Sequence, residues 1–337
     1  SHRIIDEQET IRSAYSKLPF KKIEKFVQEV FWRTYWKGWL EMRPQVWDDY
    51  NQDLKNLHNE LTSSNYKEAI EGNTKVSCFN DWVLELKEFG YLHNHARMWF
   101  ASIWIFTLGL PWQLGADFFL KHLLDGDPAS NTLGWRWVAG LHTKGKHYLA
   151  AEWNINKFSS KTYEHLNLNE QAQAKHEDRS YDIQPILFDE INSENSLFVF
   201  HNLDCSLHLV EKEMNFNHYA VIDFTSILKK ERYSQKVLDF KIRSNQYLTT
   251  VLKERFNSQT VIQNKDDFQT ITKEKSIKNI IFPYLAVGYE NDFIKEIKKE
   301  FNIYYLARDY DKHCWQYSTK GFFKFKEQIP KILTKIL

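Results

Sequence analysis

The chain has 337 residues, of which 42% are hydrophobic and 26% are charged, and its formal net charge is +1. This composition excludes an intrinsically disordered chain and leaves room for one large domain or two ordinary ones. Three widely spaced cysteines form no CxxC pair, which argues against a disulfide framework or a cysteine-rich metal site and fits a reducing, cytoplasmic compartment.

Residues 1 to about 150 are predicted to be helical, because their apolar residues recur at helical spacing. A second helical stretch within this part covers residues 79–110, is interrupted near Gly90 and ends before Pro111. A third helix is expected over residues 115–125. No strand-like alternation of apolar and polar residues is visible in this part of the sequence.

Tryptophan is distributed unevenly, since eleven of the twelve tryptophans precede residue 160. This bias indicates two regions of different architecture. The most apolar stretch, Trp99–Trp112, is bounded by Arg97 and Gln113 and is too short to span a bilayer comfortably. We therefore expect a buried helix there and no membrane partner, and the first residues show no signal-peptide pattern.

The second half of the chain has a different pattern. Residues 166–186 are polar and are predicted to form a linker or exposed loop. After residue 190, short apolar runs alternate with helical patterns at 226–257 and 290–301, which predicts a parallel sheet with helical crossovers. The predicted strands are Leu197–Phe200, Tyr219–Phe224, Thr260–Ile262, Asn279–Tyr284 and Ile303–Leu306.

Two segments carry residues suited to binding a redox cofactor. Residues 90–98 have the sequence Gly-Tyr-Leu-His-Asn-His-Ala-Arg-Met, and residues 124–137 have the sequence Leu-Asp-Gly-Asp-Pro-Ala-Ser-Asn-Thr-Leu-Gly-Trp-Arg-Trp. An Arg and an Asp that face each other across an apolar pocket could orient a planar heterocycle. An Asn amide both donates and accepts, so it suits a ring nitrogen whose protonation changes with redox state.

These segments resemble the FAD-binding region of the DNA photolyase/cryptochrome family, and of its cyclobutane pyrimidine dimer photolyases in particular. The family pattern is G-[WY]-x-H-N-x-x-R-M followed by L-x-D-G-D-x-A-x-N-x-x-G-W-x-W. The runs Glu29–Arg33 and Gly140–Leu149 are similar to the family's neighbouring segments. The resemblance covers about residues 1–160 and implies an all-helical domain that holds FAD.

The resemblance also implies a role for individual residues. Arg97 and Asp125 correspond to the pair beside the isoalloxazine ring, and Asn131 corresponds to the residue facing flavin N5. The other implied cofactor-binding residues are Arg33, Asn94 and Asp127. The residues implied to touch a flipped pyrimidine dimer are Glu29, Trp32, Asn94, Met98 and Trp137. The residues with implied catalytic roles are Glu29, Asn131, Trp135 and Trp112, the two tryptophans being the first steps of an electron-hopping chain. No metal site is expected.

Several features depart from the family pattern. The usual antenna domain does not precede the helical part, and almost nothing is present of the Ser/Thr-rich segment that holds the FAD phosphates, expected just before His2. The outermost tryptophan of the hopping chain falls near Asn59, and His95 replaces a basic residue common beside the dimer. Because Ser196–His208 is similar to the opening strand of the antenna domain, we hypothesise a circular permutation.

These residues could also have purely structural roles. Asn94, Arg97, Asp125 and Asn131 could form a structural polar cluster, and Trp135 and Trp112 serve as core whatever else they do. We prefer the functional interpretation because so many typed residues match in register.

The predicted fold is α plus α/β. A helical FAD-binding domain covers residues 1–165, a linker 166–190, and a smaller doubly wound, Rossmann-like domain 191–337. The resemblance implies a monomeric, light-dependent flavoprotein that repairs pyrimidine dimers in single- or double-stranded UV-damaged DNA by electron transfer from excited reduced FAD. The alternatives are a blue-light photoreceptor of the cryptochrome type and a non-catalytic relative that has lost FAD. The sequence does not specify an antenna chromophore.

Overall fold

The computed structural model of the protein describes residues 2–211 and 216–337. The chain forms two compact units. Ser1–Arg43 and Ile183–Leu337 together form the first, which we call the α/β unit, and Pro44–Asp182 forms the second, which we call the helical unit. None of the helices within the described ranges is both long enough and apolar enough to cross a membrane.

Two helices open the α/β unit, α1 (Glu7–Tyr15) and α2 (Phe20–Glu41). Asp6 caps α1, since its carboxylate accepts a hydrogen bond from the Glu9 amide at 2.7 Å. On α2, Ile23, Val27, Phe31 and Tyr35 recur every four residues and are all buried. This spacing places them on one face of the helix, which belongs to a hydrophobic core shared with the C-terminal helices.

The helical unit contains seven α-helices, as the sequence pattern predicted for this part of the chain. They are α3 (Gln45–Asn56), α4 (Ser64–Glu71), α5 (Ser77–Phe89), α6 (Asn94–Ser102), α7 (Trp112–His122), α8 (Pro128–Ala139) and α9 (Glu152–Phe158). The predicted stretch 79–110 therefore comprises two helices, and a π-helical turn at Ile103–Thr107 continues α6.

Gly90 ends α5 in the left-handed region, with φ of 68°. A Cβ at this position would lie 2.7 Å from Leu124 Cγ, so glycine also permits close contact with the segment that precedes α8. After the π-helical turn the chain folds back, and the Trp104 indole donates to the Pro111 carbonyl at 2.9 Å. These two contacts bring the two motif-bearing segments towards one another.

Residues 159–195 contain no helix or strand, in agreement with the polar sequence. The segment is nevertheless held in place within the helical unit. Arg179 makes two hydrogen bonds to Asp53, at 2.7 and 2.8 Å, and the Tyr181 hydroxyl donates to Asp49 at 3.0 Å. The division between the two compact units follows Asp182 and therefore falls inside the predicted linker.

A five-stranded sheet forms the centre of the α/β unit, and all its pairings are parallel. Its order is β3-β2-β1-β4-β5, which confirms the predicted doubly wound sheet. The strands are β1 (Ser196–Phe200), β2 (His218–Ile222), β3 (Val261–Ile262), β4 (Asn279–Pro283) and β5 (Ile303–Leu306). Buried apolar side chains cover both faces of the sheet.

The helices of this half connect the strands and complete the unit. They are α10 (His208–Glu211), α11 (Thr225–Lys230), α12 (Gln235–Phe256), α13 (Lys265–Glu274), α14 (Tyr289–Ile297), α15 (Asp309–Trp315), α16 (Phe322–Lys326) and α17 (Ile329–Ile336). The prediction of one helix over 226–257 was wrong. Arg232 has φ of 61° and Ser234 caps α12, so the chain forms two helices here.

A buried ionic network fills the edge of the sheet where the strand order reverses between β1 and β4. Arg3 donates to both carboxylate oxygens of Asp311, at 2.7 and 2.8 Å, and Arg308 donates to both oxygens of Asp204, at 2.6 and 2.9 Å. Doubly wound proteins commonly bind ligands at this switch point. Here the chain's own Arg3 occupies the position, bonded also to Asp204 at 3.3 Å.

The two units divide the chain differently from the predicted domains. Helices α1 and α2 were predicted to belong to the helical domain at 1–165, but they lie in the α/β unit, where α2 packs against α15 and α16 and α1 packs against α2. The apolar face of α2 matches the apolar residues of those helices, for example Phe31 against Tyr310 and Phe325. The family domain boundaries remain a prediction, since compactness and ancestry can divide a chain at different places.

Candidate active site

The predicted charge pair forms at the start of α6. The Arg97 guanidinium donates through Nη2 to both oxygens of Asp125, at 3.0 and 3.1 Å, and through Nε to the Leu92 carbonyl at 2.8 Å. The side chains remain 24% and 43% exposed, respectively. The pair is therefore fixed in orientation but accessible to a ligand. It is less buried than the pair facing across an apolar pocket that the sequence suggested.

The start of α8 fixes the next two predicted residues. The Asp127 carboxylate caps the helix and accepts from the Ser130 amide at 3.0 Å and from the Ser130 hydroxyl at 2.8 Å. Asn131 is buried, and its amide donates to the Ala116 carbonyl of α7 at 2.7 Å. This bond orients the Asn131 side chain. Asn94, the first residue of α6, is exposed.

Gly134 leaves open space beside Asn131. The two residues are three apart on α8 and therefore have neighbouring positions on the helix surface. A Cβ at Gly134 would meet no atom of the described chain within 4 Å. The Arg97–Asp125 pair, an oriented amide and an uncovered stretch of helix together fit the isoalloxazine part of a flavin.

Trp135 points the other way, into the core of the helical unit. Its ring is buried and contacts Phe119 edge-on at a centroid distance of 5.1 Å and Trp104 at 6.1 Å. Gly115 on α7 permits this packing, because a Cβ there would lie 2.3 Å from Trp135 Cη2. The indole N–H is buried and finds no acceptor within the described chain.

Trp112 is also buried and continues a row of aromatic rings. It stacks on Tyr50 at 5.8 Å, and Tyr50 contacts Trp47 at 5.4 Å. The Arg136 guanidinium carbon lies 5.8 Å from the Trp112 ring centroid. Tyr50, the ring between Trp112 and Trp47, was not predicted from the sequence.

Met98 and Trp137 lie on two helices that contact each other, α6 and α8. Both side chains are half-buried. The Trp137 ring stacks on Tyr148 at 6.0 Å with an interplanar angle of 24°. Burial raises the pKa of the Tyr148 phenol, so Tyr148 remains a neutral, apolar support for Trp137.

The remaining predicted residues lie on α2 in the α/β unit. Glu29 is exposed and Arg33 is half-buried. Trp32 stacks face to face on Phe322 of α16, with ring centroids 3.5 Å apart and planes 11° apart. Nine of the twelve predicted site residues thus belong to the helical unit and these three to the α/β unit.

Residues 26–180 match the protein family described as FAD binding domain of DNA photolyase. The matched range is just under half of the chain, and it resembles the FAD-binding domain of the DNA photolyase/cryptochrome family. The matched range covers residues 44–180 of the helical unit and the α2 residues Glu29, Trp32 and Arg33, and the cofactor of this family domain is FAD. The predicted resemblance and the predicted cofactor are confirmed.

Curated relatives carry the name deoxyribodipyrimidine photo-lyase. The Streptomyces griseus protein is 35% identical over 122 residues, which is 36% of this chain and 26% of that protein. The Buchnera aphidicola subsp. Baizongia pistaciae protein is 28% identical over 153 residues, or 43% and 32%. The Escherichia coli (strain K12) protein is 27% identical over 131 residues, or 36% and 26%. The chain thus spans about a third or less of the length of these relatives. No solved structure gives a significant match.

The structure adds functional candidates that the pattern did not single out. Gly134 and Ser130 lie inside the matched motif, so the motif could have indicated them. Tyr50 and the exposed Trp153 of α9 lie outside it. Their neighbours come from distant parts of the sequence, and only the folded chain shows them.

Proposed function

We propose that the protein is a light-dependent photolyase that repairs cyclobutane pyrimidine dimers in DNA. The observation that carries the proposal is the oriented Arg97–Asp125 pair, together with the oriented Asn131 amide and the open surface at Gly134. These residues lie in a domain that matches the FAD binding domain of DNA photolyase and has curated relatives named deoxyribodipyrimidine photo-lyase. When bound, FAD supplies the photochemical electron donor.

The side chains of the helical unit have separate tasks in this proposal. Arg97 and Asp125 contact the isoalloxazine ring system of FAD, and the fixed positions of their charges set the orientation of its plane. Asn131 presents an amide whose orientation is set by the Ala116 carbonyl, so it can accept or donate at a ring nitrogen without first reorganising. Asp127 and Asn94 are assigned to the rest of the cofactor, together with Arg33 of α2.

The substrate would be a dimer flipped out of the DNA helix. Trp137 offers a half-buried ring for stacking, and Tyr148 supports its other side. Met98 and Asn94 lie on the contacting helix α6. For Glu29 and Trp32 the assigned substrate contacts rest on the resemblance, as does the role of Trp135 and Trp112 in returning electrons from the protein interior.

The α/β domain is proposed to be the family's antenna domain in a permuted position. Its support is the doubly wound sheet and the similarity of Ser196–His208 to the opening of that domain. We also propose that the protein is a cytoplasmic monomer and that it acts on UV-damaged DNA.

Repair is tested directly with purified, photoreduced protein and an oligonucleotide that contains one thymine dimer. Illumination should restore the monomers, and Trp137→Ala should weaken binding of the damaged strand by about 1–3 kcal/mol, the value of one stacking contact. Tyr247→Ala is a control outside the substrate pocket, because Tyr247 is an exposed ring on α12 of the α/β unit. A protein that binds flavin but does not distinguish damaged from undamaged DNA would instead be a photoreceptor, and one that cannot be loaded with FAD would refute both functions.

A further inference from the structure

Helix α9 exposes two large aromatic side chains. Trp153 is 67% exposed and Phe158 is 56% exposed. Both lie on a short helix of the helical unit, and neither belongs to the motifs that carry the resemblance. Two exposed rings on one short helix offer an apolar surface to a binding partner.

Phe158 is the outer end of an ordered stack of rings. It lies 5.5 Å from the His95 ring with planes 23° apart, and His95 lies 5.7 Å from Trp99 with planes 20° apart. Trp99 stacks in turn on Trp82 at 5.6 Å. The stack extends from the core to the surface, so the outer rings are held in place before any ligand binds.

One side chain connects this stack to the proposed substrate pocket. Asn154 of α9 accepts a hydrogen bond from the Trp99 indole at 3.0 Å and lies 3.5 Å from the Tyr148 hydroxyl. Tyr148 is the ring on which Trp137 stacks. Phe158 is therefore connected to Trp137, the ring assigned to the dimer, through the ring stack, Asn154 and Tyr148.

The chain segment that carries α9 is rich in lysine. Residues 140–161 contain four lysines and a single acidic residue, Glu152. Lys144 and Lys146 are exposed in the turn after α8, and the Lys157 ammonium lies 5.3 Å from the Phe158 ring. Lys161 is also exposed, although it pairs with Asp81 at 2.8 Å.

We propose that α9 binds the single-stranded DNA that flanks the flipped dimer. Unpaired bases would stack on Trp153 and Phe158, and the lysines would contact the phosphates. Every base has a π face, so such a platform is tolerant of sequence, and its lysines make binding depend on salt. This inference rests on the proposed function for the damaged base, but the surface itself requires neither FAD nor a dimer.

The test measures fluorescence anisotropy of a labelled, undamaged oligo(dT), of the same strand with one thymine dimer, and of a blunt undamaged duplex. Trp153→Ala and Phe158→Ala should each weaken binding of both single strands by about 5- to 100-fold, the range of one base–aromatic stack. Phe323→Ala is the matched control, because Phe323 is 78% exposed on α16 in the other unit. It should bind all three DNAs like the parent.

Two outcomes overturn the proposal. If the α9 variants bind single strands as tightly as Phe323→Ala does, the rings do not contact DNA. The surface would then fit an apolar protein partner instead. An equal loss on the blunt duplex shows that the effect is not base stacking, since paired bases are covered. Flavin absorbance and dimer repair are recorded in parallel, so failure of the proposed function is separate from failure of this surface. Thermal unfolding of each variant checks that it is folded.

Discussion

Two helical glycines of the helical unit give opposite predictions for the same substitution. A Cβ at Gly115 would lie 2.3 and 2.4 Å from Trp135 ring atoms and 3.0 Å from Trp104 Cε2. Trp135 is buried against Phe119 and Trp104, so its ring cannot move aside without disturbing those neighbours. A Cβ at Gly134, on α8, would meet nothing within 4 Å of the described chain.

The expected magnitudes follow from two opposing effects. Replacing a helical glycine by alanine stabilises a helix by roughly 0.8–1 kcal/mol. Overpacking a core costs about 1–3 kcal/mol, and contacts as short as these favour the upper half of that range. Gly115→Ala should therefore destabilise the protein by about 1–2 kcal/mol, whereas Gly134→Ala should stabilise it by about 1 kcal/mol.

Urea unfolding of flavin-free protein, followed by tryptophan fluorescence, measures both changes against the parent. Flavin binding gives a second readout. If the flavin ring occupies the space beside Asn131, Gly134→Ala should bind FAD more weakly although the apoprotein is more stable. A Gly115→Ala protein as stable as the parent would refute the packing of Trp135, and unchanged FAD affinity in Gly134→Ala would refute the placement of the ring.

Three further predictions concern charges and rings. Burial raises the pKa of Asp204, but the positive charges of Arg308 and Arg3 outweigh this effect and lower the pKa to about 2. The carboxylate should therefore stabilise the fold by about 2 kcal/mol above pH ~4, and this contribution should be lost as the pH falls towards 2. Asp204→Asn should flatten this acid limb in urea titrations, and an unchanged limb would contradict the assignment. Asp125→Asn should reduce bound flavin while moving the melting temperature little, because a pair this exposed contributes only about 0–1 kcal/mol; a large drop in melting temperature would instead indicate a structural role. Trp135→Phe should abolish light-driven reduction of bound flavin and Trp112→Phe should slow it severely, as followed by absorbance; a full rate in Trp135→Phe would show that electrons enter elsewhere.

The strands of the α/β unit were predictable because each is a short apolar run between breakers. Asn279–Pro283, for example, follows a polar segment and ends at a proline. The break between α11 and α12 was not predictable, since it depends on a left-handed arginine, Arg232, rather than on glycine or proline. The local sequence predicts where a helix or strand ends only when the residue type itself restricts the backbone.

The candidate site shows the same division. Arg97 and Asp125 were found because motif spacing identifies them, and their hydrogen bonds form as expected. The stacking of Tyr50 on Trp112 and the placement of Phe158 beside His95 depend on contacts between segments far apart in the chain. Periodicity shows that α2 has an apolar face but cannot say what covers it, and here the cover comes from residues some 280 positions later.

That separation has a consequence during synthesis. The apolar face of α2, including Ile23 and Phe31, is covered by α15, α16 and α17, which are synthesised much later than α2. At about 5–20 residues per second, the face stays uncovered for roughly 15–60 s after α2 emerges. The helical unit, encoded in between, can complete its own core during this interval. The nascent chain should therefore bind chaperones through α2 until α15, α16 and α17 have emerged.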